Sequence, residues 1–303
     1  MVFPANLQGQ FIAFLDQNKI FRSAGWNNFM ETVDNAAAVV VEVTTVEQLQ
    51  NVLKEIKRIN ELPTSKGKIT VRATGGWSDD NVSQCCLFPW SQKQINTYNE
   101  GFSFSQVVGG RATPETPGTD VILRFAKKYH HMEVLGSLPT PKQTNPESPI
   151  HKLPCSLVKV SAGVQVAELV EFLRKKGLSL TTVSMISWVT AVGLAGTGGH
   201  GTGRDEPAFS GLIESFEVCD MDGNLREITS TDPDFQVLSG AHSGLLGVVT
   251  SIKIRAVEAY NLKETIRLFS NVSDMDDKLD EILKENQYVS IMGMPTYGNT
   301  SSS

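Results

Sequence analysis

Between Val189 and Gly203 the chain reads VTAVGLAGTGGHGTG, with glycine at positions 193, 196, 198, 199, 201 and 203. Glycine gives up more conformational freedom than any other residue when it enters a helix or strand, so this density predicts a backbone-rich loop. A second glycine-bearing loop, Thr74 to Asp79, follows strand-like text at 69–73. Neither loop carries side chains that would block a ligand from the backbone. Exposed amides in such a loop can solvate a pyrophosphate; tight turns packed on a sheet are the alternative reading of the same glycines. A triphosphate loop would need a lysine, and a Rossmann site would need G-x-G-x-x-G opening a helix in the first βαβ unit. Both patterns are missing, which disfavours both sites.

The text around the loops alternates strand and helix. Residues 38–43, AVVVEV, form a continuous β-branched run, and Val46, Leu49, Val52, Leu53, Ile56 and Ile59 then recur at helical spacing. Thr44 with Glu47 fits a capping box between them. With the strand at 69–73 this makes a βαβ unit. A second unit starts at Val158–Ser161, runs through a helix with Val166, Leu169, Val170 and Leu173 on one face, stops at Gly177 and continues as a strand at 178–183. Ile213–Cys219 and Leu225–Thr229, joined through Asp222-Gly223, read as a hairpin. A short helix at 234–238 and an alternating strand at 248–255 follow. Pro-rich loops are expected at about 88–120 and 137–154, with the strand-like text between them forming a hairpin or meander. From Leu262 a strand, an acidic-capped helix and a further strand are expected.

Composition narrows the functional class. At 303 residues the chain suits two domains, and 40% hydrophobic with 20% charged residues fits a soluble globular protein. A net charge of −6 without a Lys/Arg cluster argues against a nucleic-acid partner. The first residues show no secretory signal, and no run reaches transmembrane length. Cys85, Cys86, Cys155 and Cys219 sit at no zinc-type spacing, so no metal site is expected and reduced thiols in a cytoplasm are the default.

The order of these pieces carries a family resemblance. The runs VVVEVTTVEQLQNVLKEIKR, ITVRATGGWS, VKVSAGVQVAELVEFLRKKGLSLTTV, VGLAGTGGHGTG, GLIESFEVCDMDGNLREIT and GLLGVVTSIKIRAV, over about residues 25–260, resemble the FAD-binding domain of the vanillyl-alcohol oxidase and p-cresol methylhydroxylase superfamily. They are most similar to its gulonolactone, arabinonolactone and alditol oxidase branch. The resemblance implies an α+β fold in which two subdomains clasp FAD. The first would span about 1–90 and the second about 91–262, with 263–303 as the start of a truncated substrate (cap) domain.

It also implies site residues. Arg72, Ala73, Thr74, Gly75, Gly76, Trp77 and Ser78 match the first pyrophosphate loop, although Arg72 can equally be a strand residue facing solvent. Ser184, Thr190, Gly193, Thr197, Gly198, Gly199 and His200 match the second flavin-contacting segment, and Val249 lies where relatives hold the adenine end. For His200 a positional role beside the isoalloxazine, or a satisfied polar residue in a tight loop, is preferred to catalysis. Many relatives place a histidine in the first loop that bonds covalently to the flavin. Trp77 stands there instead, in a loop one residue shorter, so FAD is expected to bind non-covalently, with Trp77 either packing on the ring system or serving as an ordinary buried aromatic.

The implied reaction is oxidation of the CH–OH group of a sugar lactone or polyol by hydride transfer to flavin N5, with oxygen or another molecule as final acceptor. No catalytic residue is named, because relatives carry those groups in the cap. The expected partners are accordingly the small-molecule substrate, the acceptor, and a partner chain or missing cap domain. A flavin-binding module or subunit without independent oxidase activity is the alternative, and a non-flavin α+β domain with structural glycines is a third reading.

Overall fold

The computed structural model describes residues 5–28, 34–63, 68–75, 100–101, 118–139 and 150–293. Gly76, Trp77, Ser78, Cys85 and Cys86 lie outside the described residues. Two sheets organise the chain. The first contains β1 (Phe21–Asn28), β2 (Asp34–Val43), β3 (Val71–Ala73), β4 (Glu100–Gly101) and β5 (Val121–Phe125) in the order β3-β5-β2-β1-β4. Helices α1 (Ala5–Gln17) and α2 (Val46–Asn60) belong to it.

Sequence periodicity explains this layer. Val39, Val41 and Val43 of β2 face the core beneath α2, while Ala38 and Val40 face Trp26 on the opposite side. Both faces of the strand are covered, which is why AVVVEV reads as an unbroken apolar run. Leu49, Val52, Leu53, Ile56 and Ile59 of α2 are wholly buried, and Leu7, Phe11 and Leu15 of α1 join the same cluster. The cap of α2 differs from expectation by one residue. Thr45 is the N-cap and accepts from the Gln48 amide, while the Gln48 side chain reaches back to the Thr44 amide and hydroxyl, each at 2.8 Å. Gln48 therefore takes the reciprocal role expected of Glu47, because the helix starts one position later.

The second sheet has the order β10-β9-β11-β7-β6, from β6 (Met132–Leu138), β7 (Cys155–Ser161), β9 (Ile213–Cys219), β10 (Leu225–Thr229) and β11 (Val248–Glu258), with the short β8 (Leu178–Ser179) paired to β11. Their pairings are antiparallel. Helices α3 (Val166–Lys175), α4 (Ala191–Gly196) and α5 (Pro233–Leu238) supply its core with Leu169, Leu173, Leu194, Ala195 and Leu238, packed against Val158, Val160, Phe216, Ile252 and Ile254. Gly177 ends the α3 region at φ +68°, and the β9–β10 hairpin turns at Gly223 with φ +76°. Both conformations suit a residue without Cβ.

Three expectations need correction. Strands β5 and β6 exist but form no hairpin: β5 inserts between β2 and β3, parallel to both, whereas β6 pairs with β7 in the other sheet. The first sheet therefore recruits residues well past the boundary near 90, because apolar Val121, Leu123 and Phe125 complete the core under α2. In the C-terminal region α6 (Val272–Glu285) forms, but among the described residues its expected flanking strands do not. Leu262, Ile266 and Leu268 are exposed, and α6 has no buried residue.

The sheets are clasped together. Cys219 of β9 and Val248 of β11 enter the core under α2, and burial pushes the Cys219 thiol up to about 11. Tyr129 stacks on Phe125 and donates to the Thr250 carbonyl at 3.0 Å; burial pushes its phenol up to about 12. The Gln50 side chain donates to the Gly223 carbonyl at 2.7 Å. His130 lies 3.1 Å from Glu168, whose carboxylate also takes the Gln165 amide at the start of α3.

Two predictions follow from this packing. Leu53→Ala empties a fully buried site and should cost about 2–5 kcal/mol in denaturant unfolding. Burial alone would raise the Glu168 pKa, but hydrogen bonds from His130 and the Gln165 amide outweigh it and hold the carboxyl below its ordinary 4.5. A depressed folded-state value means that the stabilisation is complete above 4.5 and fades as pH falls through and below it. Glu168→Gln keeps the capping geometry but cannot titrate, so its melting temperature should fall less steeply than that of the parent chain on acidification; equal slopes would contradict the assignment.

Candidate cofactor site

The two glycine segments meet where the sheets face each other. After β3, the buried Thr74 donates its amide to the Leu123 carbonyl at 2.8 Å, which fixes the exit of the first loop to β5. The next residue, Gly75, lies against Thr190: a Cβ on Gly75 would stand 2.8 Å from the Thr190 hydroxyl oxygen and 3.2 Å from its methyl carbon. Thr190 is in turn the N-cap of α4 and accepts from the Gly193 amide at 3.1 Å. A Cβ on Gly193 would meet the same oxygen at 2.8 Å. One threonine thus requires glycine on both sides.

Part of the glycine run is helical, contrary to the loop expected for the whole segment. Ala191, Leu194 and Ala195 are apolar and buried in the second core, and this packing offsets the roughly 1 kcal/mol helix penalty of each glycine. Beyond α4, Thr197 is exposed and its hydroxyl turns back to the Gly193 carbonyl at 3.0 Å. Gly198 has φ +70°, and a Cβ on Gly199 would overlap the Leu194 side chain. The Gly201 amide donates to the Thr182 hydroxyl at 3.0 Å.

His200 is exposed, with Nδ1 2.9 Å from the Gly201 carbonyl. That contact requires a hydrogen on Nδ1. Ser184 is half-buried and accepts from the Ile186 amide at 3.1 Å. Arg72 sits in β3, paired with Ile122, and its guanidinium donates to the neighbouring Val71 carbonyl at 3.0 Å. Val249 is buried in the second core and paired with Val218, so its side chain is a core residue.

The structure therefore brings together Thr74, Gly75, Thr190 and Gly193. Thr197, Gly198, Gly199 and His200 extend the same segment, whereas no contact places the Arg72 guanidinium or the Val249 side chain against them. One element escaped the sequence reading: the turn 241–244, in which Ala241 lies 3.5 Å from the position of a Gly198 Cβ and the Ser243 amide donates to the Gly196 carbonyl at 2.8 Å. Its only signal was the small residues of AHSG ahead of β11.

The fit to a dinucleotide rests on this cradle. Side-chain space is closed off by Thr190 and Leu194 at Gly75, Gly193 and Gly199, so the two segments approach each other as bare backbone, with the Gly193 and Gly199 amides held by the Thr190 hydroxyl and the Leu194 carbonyl. Among the described residues no group of His, Cys, Asp or Glu could hold a metal ion, and no helix is long and apolar enough to cross a membrane.

Residues 154–229 match the FAD binding domain family. L-gulonolactone oxidase of Bos taurus is 30% identical over 145 residues, covering 48% of this chain and 33% of that protein. The mitochondrial L-galactono-1,4-lactone dehydrogenase 1 of Oryza sativa subsp. japonica is 32% identical over 139 residues, covering 46% and 24%. The matched segments thus span a third or less of these relatives. Among solved structures, xylooligosaccharide oxidase from Myceliophthora thermophila in complex with xylobiose superposes with a TM-score of 0.55 at 16% identity, over 82% of this chain and 43% of that one. The fold is that of the FAD-binding proteins of the vanillyl-alcohol oxidase and p-cresol methylhydroxylase type.

Gly75→Val should weaken FAD binding by at least about tenfold, since its branched side chain must displace Thr190 from the cap of α4 or move the first loop away. A titration of flavin fluorescence checks this, and an unchanged affinity would show that the Gly75–Thr190 contact is irrelevant to the cofactor.

Proposed function

We propose that this chain, which carries an FAD-binding domain related to those of sugar-lactone oxidases and dehydrogenases, serves an oxidoreductase acting on the CH–OH group of a sugar lactone or polyol. The observation that carries the reading is the closure of Gly75 on Thr190, which joins glycine segments from two different sheets into one cradle. When bound, FAD would supply the hydride-accepting redox chemistry for oxidation of the CH–OH group, with oxygen or another molecule as the final acceptor.

The chain's own residues bind and orient. Segments 74–75 and 197–200 flank the pyrophosphate in a region without lysine, and the Thr74, Gly198 and Gly199 amides, which donate to the Leu123, Ala195 and Leu194 carbonyls, fix the backbone there. Thr190 spaces the two segments, and the missing Cβ atoms at Gly193 and Gly199 let the second segment pack closely on Thr190 and Leu194. His200, with a hydrogen on Nδ1 donated to the Gly201 carbonyl, keeps Nε2 for a polar group of the cofactor or a substrate hydroxyl. Trp77 in place of the flavin-bonding histidine supports non-covalent attachment.

A second reading, a flavin-binding subunit that depends on further polypeptide for its substrate side, is favoured by the exposed Ile266, at 77%, and Leu268, at 93%. Leu262, Ile266 and Leu268 would share one face of an extended chain, with Glu264 among them, which suits a strand that gains a partner.

The visible spectrum of the purified chain, with FAD added if it is colourless, tests the proposal. Flavin bands that leave with the supernatant on acid precipitation are expected. Flavin retained in the pellet would overturn non-covalent binding, and no bands after FAD addition would overturn the cofactor itself. Turnover of L-gulono- or D-arabinono-lactone by the flavin-loaded chain supports the enzyme reading; bound flavin without turnover of any lactone or polyol supports the subunit reading.

A further inference from the structure

His242 is a buried polar group that the site so far does not use. Its ring is 6% exposed, packs edge-on to Phe216, and lies against the end of α4, where a Cβ on Gly196 would stand 3.3 Å from Cε1 and Nε2. The Gly244 amide donates to Nδ1 at 2.9 Å. With Nδ1 accepting, the ring hydrogen sits on Nε2, and Nε2 is buried without a hydrogen-bond partner. An unpaired buried donor costs about 1–3 kcal/mol, which a phenyl or isobutyl group in the same space would avoid. The imidazole is thus an expensive filler unless its Nδ1 is needed. Desolvation holds its pKa below the ordinary value, which keeps the acceptor in place.

The acceptor secures an unfavourable turn. Ala241 and Ser243 have φ of +73° and +49°, in the left-handed region, and Gly244 follows at +71°. Each non-glycine residue there costs about 1–2 kcal/mol. The turn is fastened at two adjacent residues, by the Gly244 amide to the His242 ring and by the Ser243 amide to the Gly196 carbonyl. On one side it abuts Gly198 of the glycine segment, and on the other it leads through Gly247 into β11 and Val249.

We propose that His242 is a positioning residue of the cofactor site: by accepting from Gly244 it locks the turn 241–244 against the end of α4, and so sets the glycine segment and the start of β11 in register with each other. The inference rests on the proposal that this segment holds FAD. It assigns His242 no contact with the cofactor and no proton transfer.

The test separates the acceptor from the bulk. In H242N the amide oxygen can occupy the place of Nδ1; in H242Q the longer side chain carries its amide to the place of Nε2 and leaves Gly244 without an acceptor. FAD affinity is measured by fluorescence titration of each apoprotein, with the melting temperature of each apoprotein recorded alongside. H242N should stay within about threefold of the parent, and H242Q should lose at least about tenfold, the size expected for one buried amide left unpaired. Equal affinities for the two variants, or a tenfold loss in both, would overturn the inference and leave the cofactor reading standing. A parent chain that takes up no FAD would overturn both. Amide exchange in the unsubstituted apoprotein decides the matter independently if H242Q does not fold: Gly244 should be protected to a degree comparable with β11, and exchange at the free-chain rate would overturn the lock.

Discussion

The sharing of one core between two sheets is the constraint on which the rest of the molecule depends. Cys219 and Val248 belong by hydrogen bonding to the second sheet, yet they are buried with Leu49, Leu53 and Ile56 of α2 in the first. Burying an apolar side chain of this size is worth about 1.5–3 kcal/mol, and a contact that spans two layers also fixes their relative position. Tyr129 and Gln50 add directional bonds that forbid sliding. Without that rigidity Gly75 and Thr190, which arise from different sheets and lie more than a hundred residues apart, would have no reason to meet.

The cradle inherits its precision from packing and only secondarily from its own hydrogen bonds. Thr190 caps a helix of six residues, far too short to persist alone. Leu194 and Ala195 anchor α4 in the second core, and the turn 241–244 abuts its far end. The glycines are therefore held in a fixed shape although nearly every one would be mobile in isolation. A backbone held rigidly in this way reorganises little when a ligand binds to it.

Much of this was legible in the sequence, for identifiable reasons. The apolar period of α2 and the strand-glycine junction at Ala73–Gly75 are local patterns, and local patterns survive folding. The helix stop at Gly177 and the turn at Gly223 were legible because glycine accommodates their left-handed backbone without strain. What escaped was non-local. No pattern within 121–138 says that Val121–Phe125 joins one sheet and Met132–Leu138 the other, because both are short strands and the sorting is decided by which core each completes. The helicity of Ala191–Gly196 escaped for the same reason: glycine propensity argues against it, and the burial of Leu194 and Ala195 overrules propensity. His242 left no trace at all, since a lone histidine in a small-residue stretch becomes informative only when its two nitrogens are seen to differ.

The position of β5 also governs the order in which the chain can acquire structure. β2 and β3 look like neighbours in sequence, joined by α2, but they share no ladder; the strand that hydrogen-bonds to both is made some fifty residues after β3. A ribosome-bound chain that has released only the first βαβ segment therefore presents two unpaired parallel edges. Closing such separated pairings costs loop entropy before any contact rewards it, so this half of the molecule should be slow to assemble and exposed to edge-to-edge association in the interval. The second sheet begins from the adjacent β9–β10 hairpin and carries no comparable delay, so the half of the molecule synthesised later is the one equipped to fold sooner.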